Sequence, residues 1–183
     1  MPAIDVLAQL KEYFVDSSLH KFQTVQSLWS GYGDVSRYVS PRLDTTFIVK
    51  HISPPKEQVH PRGWNTNRSH ARKHKSYQVE IKWYAGLANR SDESCRIPEL
   101  YHSQDNGEEL LMIMEDLNTS GYPIRKASIS QSEVKVCLKW LANFHASYMQ
   151  VHDENLWEKG SYWHLDTRPD ELATMLDKEL QLA

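Results

Sequence analysis

The sequence predicts an α+β fold: a five-stranded antiparallel sheet with one main packed helix, followed by the first helices of a second, helical lobe. Three observations carry this. Short β-branched and aromatic runs separated by Gly, Asn and Pro turns fill residues 24–52 and 97–114. A helical pattern interrupts them between about Ser69 and Ala88. After Thr119 to Ile129, a linker holding Gly121 and Pro123, the pattern is helical.

The first segment carries Ile4, Leu7, Leu10 and Phe14 at helical spacing, which predicts a short amphipathic helix. Thr24 to Val39 is strand-like, with Val25, Leu28, Trp29, Tyr38 and Val39, and is broken at Ser30-Gly31-Tyr32-Gly33-Asp34. It reads as strand, glycine turn, strand. Thr45 to Ile52 is a third strand, ended by Ser53-Pro54-Pro55. Alternation puts Lys50 on the face of Ile48 and Ile52, opposite Val49 and His51, which favours a buried or cleft-facing ammonium.

Residues 53–70 form an irregular insert. In the helix that follows, Tyr77, Glu80, Tyr84 and Leu87 share a face, so Glu80 lies among aromatic neighbours. Ile97 to Tyr101 and Glu109 to Met114 make strands four and five around an Asn106-Gly107 turn. Ser130-Gln131-Ser132-Glu133 is a capping box, and Val134, Cys137, Leu138, Leu141, Phe144 and Tyr148 form the stripe of a strong helix. A last helix is expected from about Pro169 to Leu180.

Composition sets limits on function. The 183 residues carry a formal charge of -3, so no global excess of Lys and Arg drives binding to a phosphate backbone. The longest apolar run, Leu110 to Met114, is far too short to cross a bilayer, and Met1 to Asp5 lacks the features of a secretory signal, which places the protein in the cytoplasm. Cys95 and Cys137 have neither disulfide-framework nor zinc spacing. There is no G-x-S-x-G and no Walker P-loop.

The chemistry-bearing set is Gly31, Gly33, Lys50 and Glu80. Bare backbone at the two glycines lets a polyphosphate approach the amides, an ammonium on the strand below neutralises phosphate oxygens, and a carboxylate on the neighbouring helix orients that ammonium. Each piece also has an ordinary structural use: a glycine hairpin, an edge lysine, a surface ion pair. Their order along the chain favours the functional reading.

Ser30 to Tyr38, Phe47 to Lys50, Tyr77 to Tyr84 and Met112 to Leu117 resemble the N-terminal lobe of protein-kinase-like small-molecule phosphotransferases. They are most similar to the aminoglycoside phosphotransferase, choline kinase and ecdysteroid-kinase-like groups. The resemblance implies that Gly31 and Gly33 cover the phosphates of ATP, that Lys50 contacts its α- and β-phosphates and that Glu80 pairs with Lys50. It also implies that the main chain at Glu115 and Leu117 bonds the adenine edge, with Met114 lining the pocket. Residues 1–117 then form the nucleotide-binding N-lobe, 118–129 a hinge and linker, and 130–183 an incomplete C-lobe. Ser36 stands where a third glycine occurs in other branches.

The loop H-G-D-x-x-x-x-N, which in these enzymes supplies a catalytic Asp and a magnesium ligand, has no match. In His164-Leu165-Asp166-Thr167-Arg168-Pro169-Asp170-Glu171 an H-x-D occurs, but Glu171 replaces the Asn, and the segment reads as a turn into the last helix. The chain therefore reads as the front part of a kinase acting on a small hydroxylated molecule, truncated or encoded short, with no catalytic residue of its own. By itself it should transfer phosphate poorly or not at all, and Mg2+ is expected only with the missing C-lobe.

The rival reading is a non-catalytic, pseudokinase-like module that binds nucleotide or a partner, self-association through the incomplete C-lobe included. Lys56, Arg62, Arg68, Arg72, Lys73 and Lys75, with Glu57 and Trp64 among them, could form an anion or nucleic-acid patch, though a solvated insert is the plainer reading. His70 and His74 are four apart but lack a third ligand at zinc spacing. Trp29, Trp83 and Trp140 are expected in core and lobe packing.

Overall fold

The structure, a computed structural model, describes residues 3–55, 67–159, 164–169 and 173. Lys56, Glu57, Arg62, Trp64, the Arg68 side chain, Asp170, Glu171 and nearly all of the expected last helix lie outside the described residues. Strands β1 (His20–Ser27), β2 (Gly33–Ser40), β3 (Thr45–Ile52), β4 (Leu100–Asp105) and β5 (Leu110–Glu115) form one antiparallel sheet in the order β1-β2-β3-β5-β4. Both edge strands are irregular. The β1 pairing shifts register twice, between Lys21 and Gln23 and between Thr24 and Gln26, and the β4 pairing shifts between Leu100 and His102.

Two helices sandwich the sheet. On one face lies α1 (Val6–Tyr13), whose N-cap Asp5 accepts from the Ala8 amide at 3.0 Å. Ile4 and Leu10 pack there with Leu19, Tyr38, Phe47, Val49, Leu111 and Ile113. On the other face lies α2 (Asn67–Gly86), whose Tyr77 and Ile81 pack against Leu28, Tyr32, Ile52 and Leu110. Because both faces are covered, all six residues of β5 are buried, which suits a continuous apolar run. No described helix is long and apolar enough to cross a membrane.

Strand four begins later than the sequence pattern predicts. Arg96 to Glu99 are not part of the strand, since Pro98 offers no amide to a ladder, and β4 continues through Gln104 and Asp105 into the expected turn. The reversal is then made by Asn106 to Glu109, where the Asn106 side-chain oxygen accepts from the Glu108 and Glu109 amides at 3.0 and 2.7 Å.

Helix α3 (Gln131–Tyr148) carries the predicted capping box, with the Ser130 and Glu133 side chains reciprocally bonded to backbone. Phe144 and Tyr148 of the predicted stripe are packed, but its earlier members are not. Trp140, Asn143, Phe144, Ser147 and Tyr148 face α2 and the α2–β4 connection: Phe144 and Tyr148 lie 5.8 and 5.4 Å from the Trp83 ring, and Trp140 donates to the Arg96 carbonyl at 3.0 Å. Val134, Cys137, Leu138 and Leu141 are exposed, on the part of the helix that these contacts leave uncovered. Trp29 is likewise 64% exposed rather than core.

The two glycines of the first turn have unequal structural duties. Gly33 has φ +119° and a Cβ there would sit 2.0 Å from the His51 carbonyl oxygen, whereas Gly31 has φ +71° with open space around it. Gly33→Ala should therefore cost about 3 kcal/mol in a denaturant melt and Gly31→Ala about 1 kcal/mol. Equal losses would show that backbone conformation alone decides both positions.

Candidate functional site

Lys50 lies in the middle of β3, opposite Val35 on β2 and Met112 on β5. The face it shares with Ile48 and Ile52 is the one α2 covers, as alternation predicts. From α2, Glu80 reaches down so that its Oε2 accepts from Lys50 Nζ at 2.5 Å. The side chains are 16% and 33% exposed, so the pair is half-sheltered and still open to solvent on one side. The Tyr77 ring, one turn earlier on α2, lies 5.0 Å from the same ammonium. Burial, and then the Glu80 charge, push the Tyr84 phenol above its usual pKa.

His51, one residue on, faces the other side of the sheet. Its Nε2 meets Glu109 at 3.1 Å, and Glu109 also accepts from Ser53 Oγ at 3.0 Å and from the Ile4 amide at 2.8 Å. This cluster fixes the start of the chain to the tip of the sheet and leaves Lys50 the one cation of β3 on the α2 side.

The glycine turn stands at the end of β1. A 3-10 turn (Trp29–Gly31) leads through Tyr32 into β2, with Ser30 and Gly31 both left-handed at φ 59° and 71°. Tyr32 is 3% exposed and points back toward α2. Gly33 is in ladder register with Ile52, so the turn sits two residues along β3 from Lys50.

At the opposite end of the same face, Met114 lies beside Ile48 and is nearly buried. The Glu115 amide donates to the Glu99 carbonyl at 2.9 Å, so any further main-chain bonding at this residue falls to its carbonyl. The Glu115 carboxylate turns to the other side and takes Arg96 in two bonds of 2.5 and 3.0 Å. The Leu117 carbonyl accepts from the Tyr122 amide at 2.8 Å, while its own amide has no acceptor among the described residues.

Sequence reasoning missed the ion pair that closes this end. Arg37 lies in register with Ile48, and its guanidinium bonds both oxygens of Asp116, the second at 3.3 Å, while Thr46 Oγ1 donates to Asp116 at 2.6 Å. Burial pushes the Asp116 carboxyl up, but the Arg37 and Thr46 hydrogen bonds outweigh it and hold the group below the usual carboxylate range. Alternation does place Arg37 on the face of Val35; the partner, 79 residues away, left no local signal.

The H-x-D segment is placed away from Lys50. Arg72 Nη1 donates to the Thr167 carbonyl at 2.7 Å and Lys75 lies 4.4 Å from the Trp157 ring, and both project from the side of α2 opposite Tyr77. Asp166 is exposed and paired with Lys159. Of the basic residues between 56 and 75, Arg72, Lys73 and Lys75 are therefore engaged within the molecule instead of forming a free patch. His70 bonds Tyr32, with its ring 6.3 Å from that of His74, and no group of three or more His, Cys, Asp or Glu side chains among the described residues could hold a metal ion. A cavity of about 370 Å³ opens at the α2–β4 connection, lined by Tyr84, Asn89, Arg96 and Pro98, and includes neither Lys50 nor Glu80.

A five-stranded antiparallel sheet with helices on both faces has the architecture of the N-lobe of the protein-kinase-like small-molecule kinases. Residues 36–169 match the ecdysteroid kinase-like family model, and the chain belongs to that family. The matched span contains Lys50, Glu80, Met114, Glu115 and Leu117 and begins just after Gly31 and Gly33. No curated protein matches the chain.

The Arg37–Asp116 pair gives a test of the architecture at this site. Asp116→Asn leaves a buried guanidinium without its counter-charge and should lower stability by about 3 to 5 kcal/mol in urea titration. A loss under 1 kcal/mol would mean that water reaches Arg37 freely.

Proposed function

We propose that this chain binds ATP in the cleft between the glycine turn, β3 and the exit of β5, and serves an ATP-dependent kinase acting on a small hydroxylated molecule. The observation that carries the reading is the 2.5 Å contact between Lys50 Nζ and Glu80 Oε2, formed across thirty residues on the face below the turn. A half-sheltered ammonium held in one orientation is suited to polyphosphate oxygens, because its carboxylate partner keeps it in place.

In this reading Gly31 and Gly33 lie over the phosphates, and Lys50, oriented by Glu80, meets the α- and β-phosphates. Met114 lines the base pocket, the Glu115 carbonyl accepts from the adenine amino group, and the Leu117 amide donates to the ring. Kinases of this superfamily generally use ATP with Mg2+. Only nucleotide binding is assigned to the described residues. The H-x-D segment, packed behind α2, is not aimed at the cleft, which supports slow or absent phosphoryl transfer by these 183 residues alone.

Lys50→Ala should weaken ATP binding by about tenfold or more in titration calorimetry, the loss of a charge-assisted contact. Unchanged affinity would remove the nucleotide assignment.

The second reading, a non-catalytic module that binds a partner or a second copy, is favoured by one observation. Val134, Cys137, Leu138 and Leu141 make an exposed apolar stripe on α3, and Val136 beside it is 68% exposed. If that stripe self-associates, light scattering should give a mass above 21.3 kDa, and Leu138→Glu should return it to that value. A monomer at every concentration would count against self-association.

A further inference from the structure

The glycine turn is gripped from one side by residues that the nucleotide reading leaves without a task. Lys73 Nζ lies 4.6 Å from the centroid of the Tyr32 ring and 4.9 Å from that of Trp29, and it donates to Ser30 Oγ at 3.3 Å. Tyr32 and His70 are joined at 2.8 Å through the phenol oxygen and Nδ1. Burial, and then the neighbouring His74 and Lys73, hold the His70 pKa below its usual value. The ring is therefore neutral at pH 7 and can accept from the Tyr32 hydroxyl. The Tyr77 ring stands 6.5 Å from Tyr32 on one side and beneath Lys50 on the other.

These contacts come from one helix face. His70, Lys73, Tyr77 and Glu80 follow at steps of three, four and three, so the side of α2 that holds Lys50 also holds the turn. The turn needs such support, because Ser30 and Gly31 are both left-handed and the 3-10 turn contains no buried residue. A partly desolvated ammonium between two aromatic rings is worth more than one in water, and Lys73 loses water in reaching them.

We propose that Lys73 is a positioning residue for nucleotide binding: together with the Tyr32–His70 bond it clasps the glycine turn to α2, so that the turn and Lys50 are set by the same helix. This role rests on the nucleotide-binding reading above. Lys73 acts through the turn, since its ammonium is already engaged by Ser30 and the two rings.

The test uses the 183-residue chain with Lys73→Met, Lys73→Arg and Tyr32→Phe. Amide exchange is followed without ligand, and calorimetry is run with ATP and with adenosine. Lys73→Met should speed exchange at residues 29–33 about tenfold while amides of α3 keep their rates. It should weaken ATP about fivefold and leave adenosine within about twofold, because adenosine carries no phosphates for the turn to cover. Lys73→Arg, which keeps the cation over the rings, should behave as wild type. Tyr32→Phe, which keeps the ring and loses the hydroxyl, should speed exchange at the turn more modestly, and it decides the matter if Lys73→Met also loosens α3. Unmoved exchange at residues 29–33 in a chain that binds ATP would overturn the clasp alone, as would equal losses for ATP and adenosine. Failure of the wild-type chain to bind ATP would overturn the nucleotide reading, and this role with it, whatever the exchange rates.

Discussion

An ammonium placed in the interior of a β-sheet face must find a counter-charge, and much of this molecule is arranged to deliver one. Lys50 cannot turn away from the covered face without shifting the register of β3, which would carry Phe47 and Val49 out of the core. The carboxylate must therefore come to the lysine. It arrives on α2, whose placement is fixed by Tyr77 and Ile81 against the far end of the same face.

Helix α2 consequently has a duty on almost every side. One side faces Lys50 and the glycine turn, Trp83 meets α3, Arg72 and Lys75 meet the following segment at Thr167 and Trp157, and Gln78 donates to Asp105 at the β4–β5 hairpin at 2.8 Å. A helix with so many polar and aromatic commitments has no simple amphipathic stripe. Its position is set by tertiary partners more than by its own pattern.

That distinction explains what the sequence made legible. Features with local causes were readable: the Ser130 cap, the glycine turn before β2, the alternation that aims Lys50 and the spacing that aims Glu80. Features that depend on distant partners were not. Arg37 and Asp116 look like ordinary surface charges until the sheet closes, and Lys73 looks like part of a basic insert until the turn folds against it. The first part of the α3 stripe, Val134 to Leu141, was misread for a related reason, while Phe144 and Tyr148 pack as expected. The helix has apolar residues on two faces, and only the position of Trp83 and the α2–β4 connection selects which one is packed. Strand four was misplaced because Pro98 sits in a run that is apolar enough to pair but lacks the amide to do so.

The two register breaks in β1 and the one in β4 fall on the strands that border the sheet. An open border of regularly spaced amides and carbonyls is a template on which another chain can add a strand. A bulge interrupts that spacing and twists the border away from flatness. Phe22 and Val25 on β1 are exposed apolar side chains of the kind that would reward such addition, and they sit where the spacing is broken. Irregular pairing of this kind works against fibril-like stacking at the two edge strands.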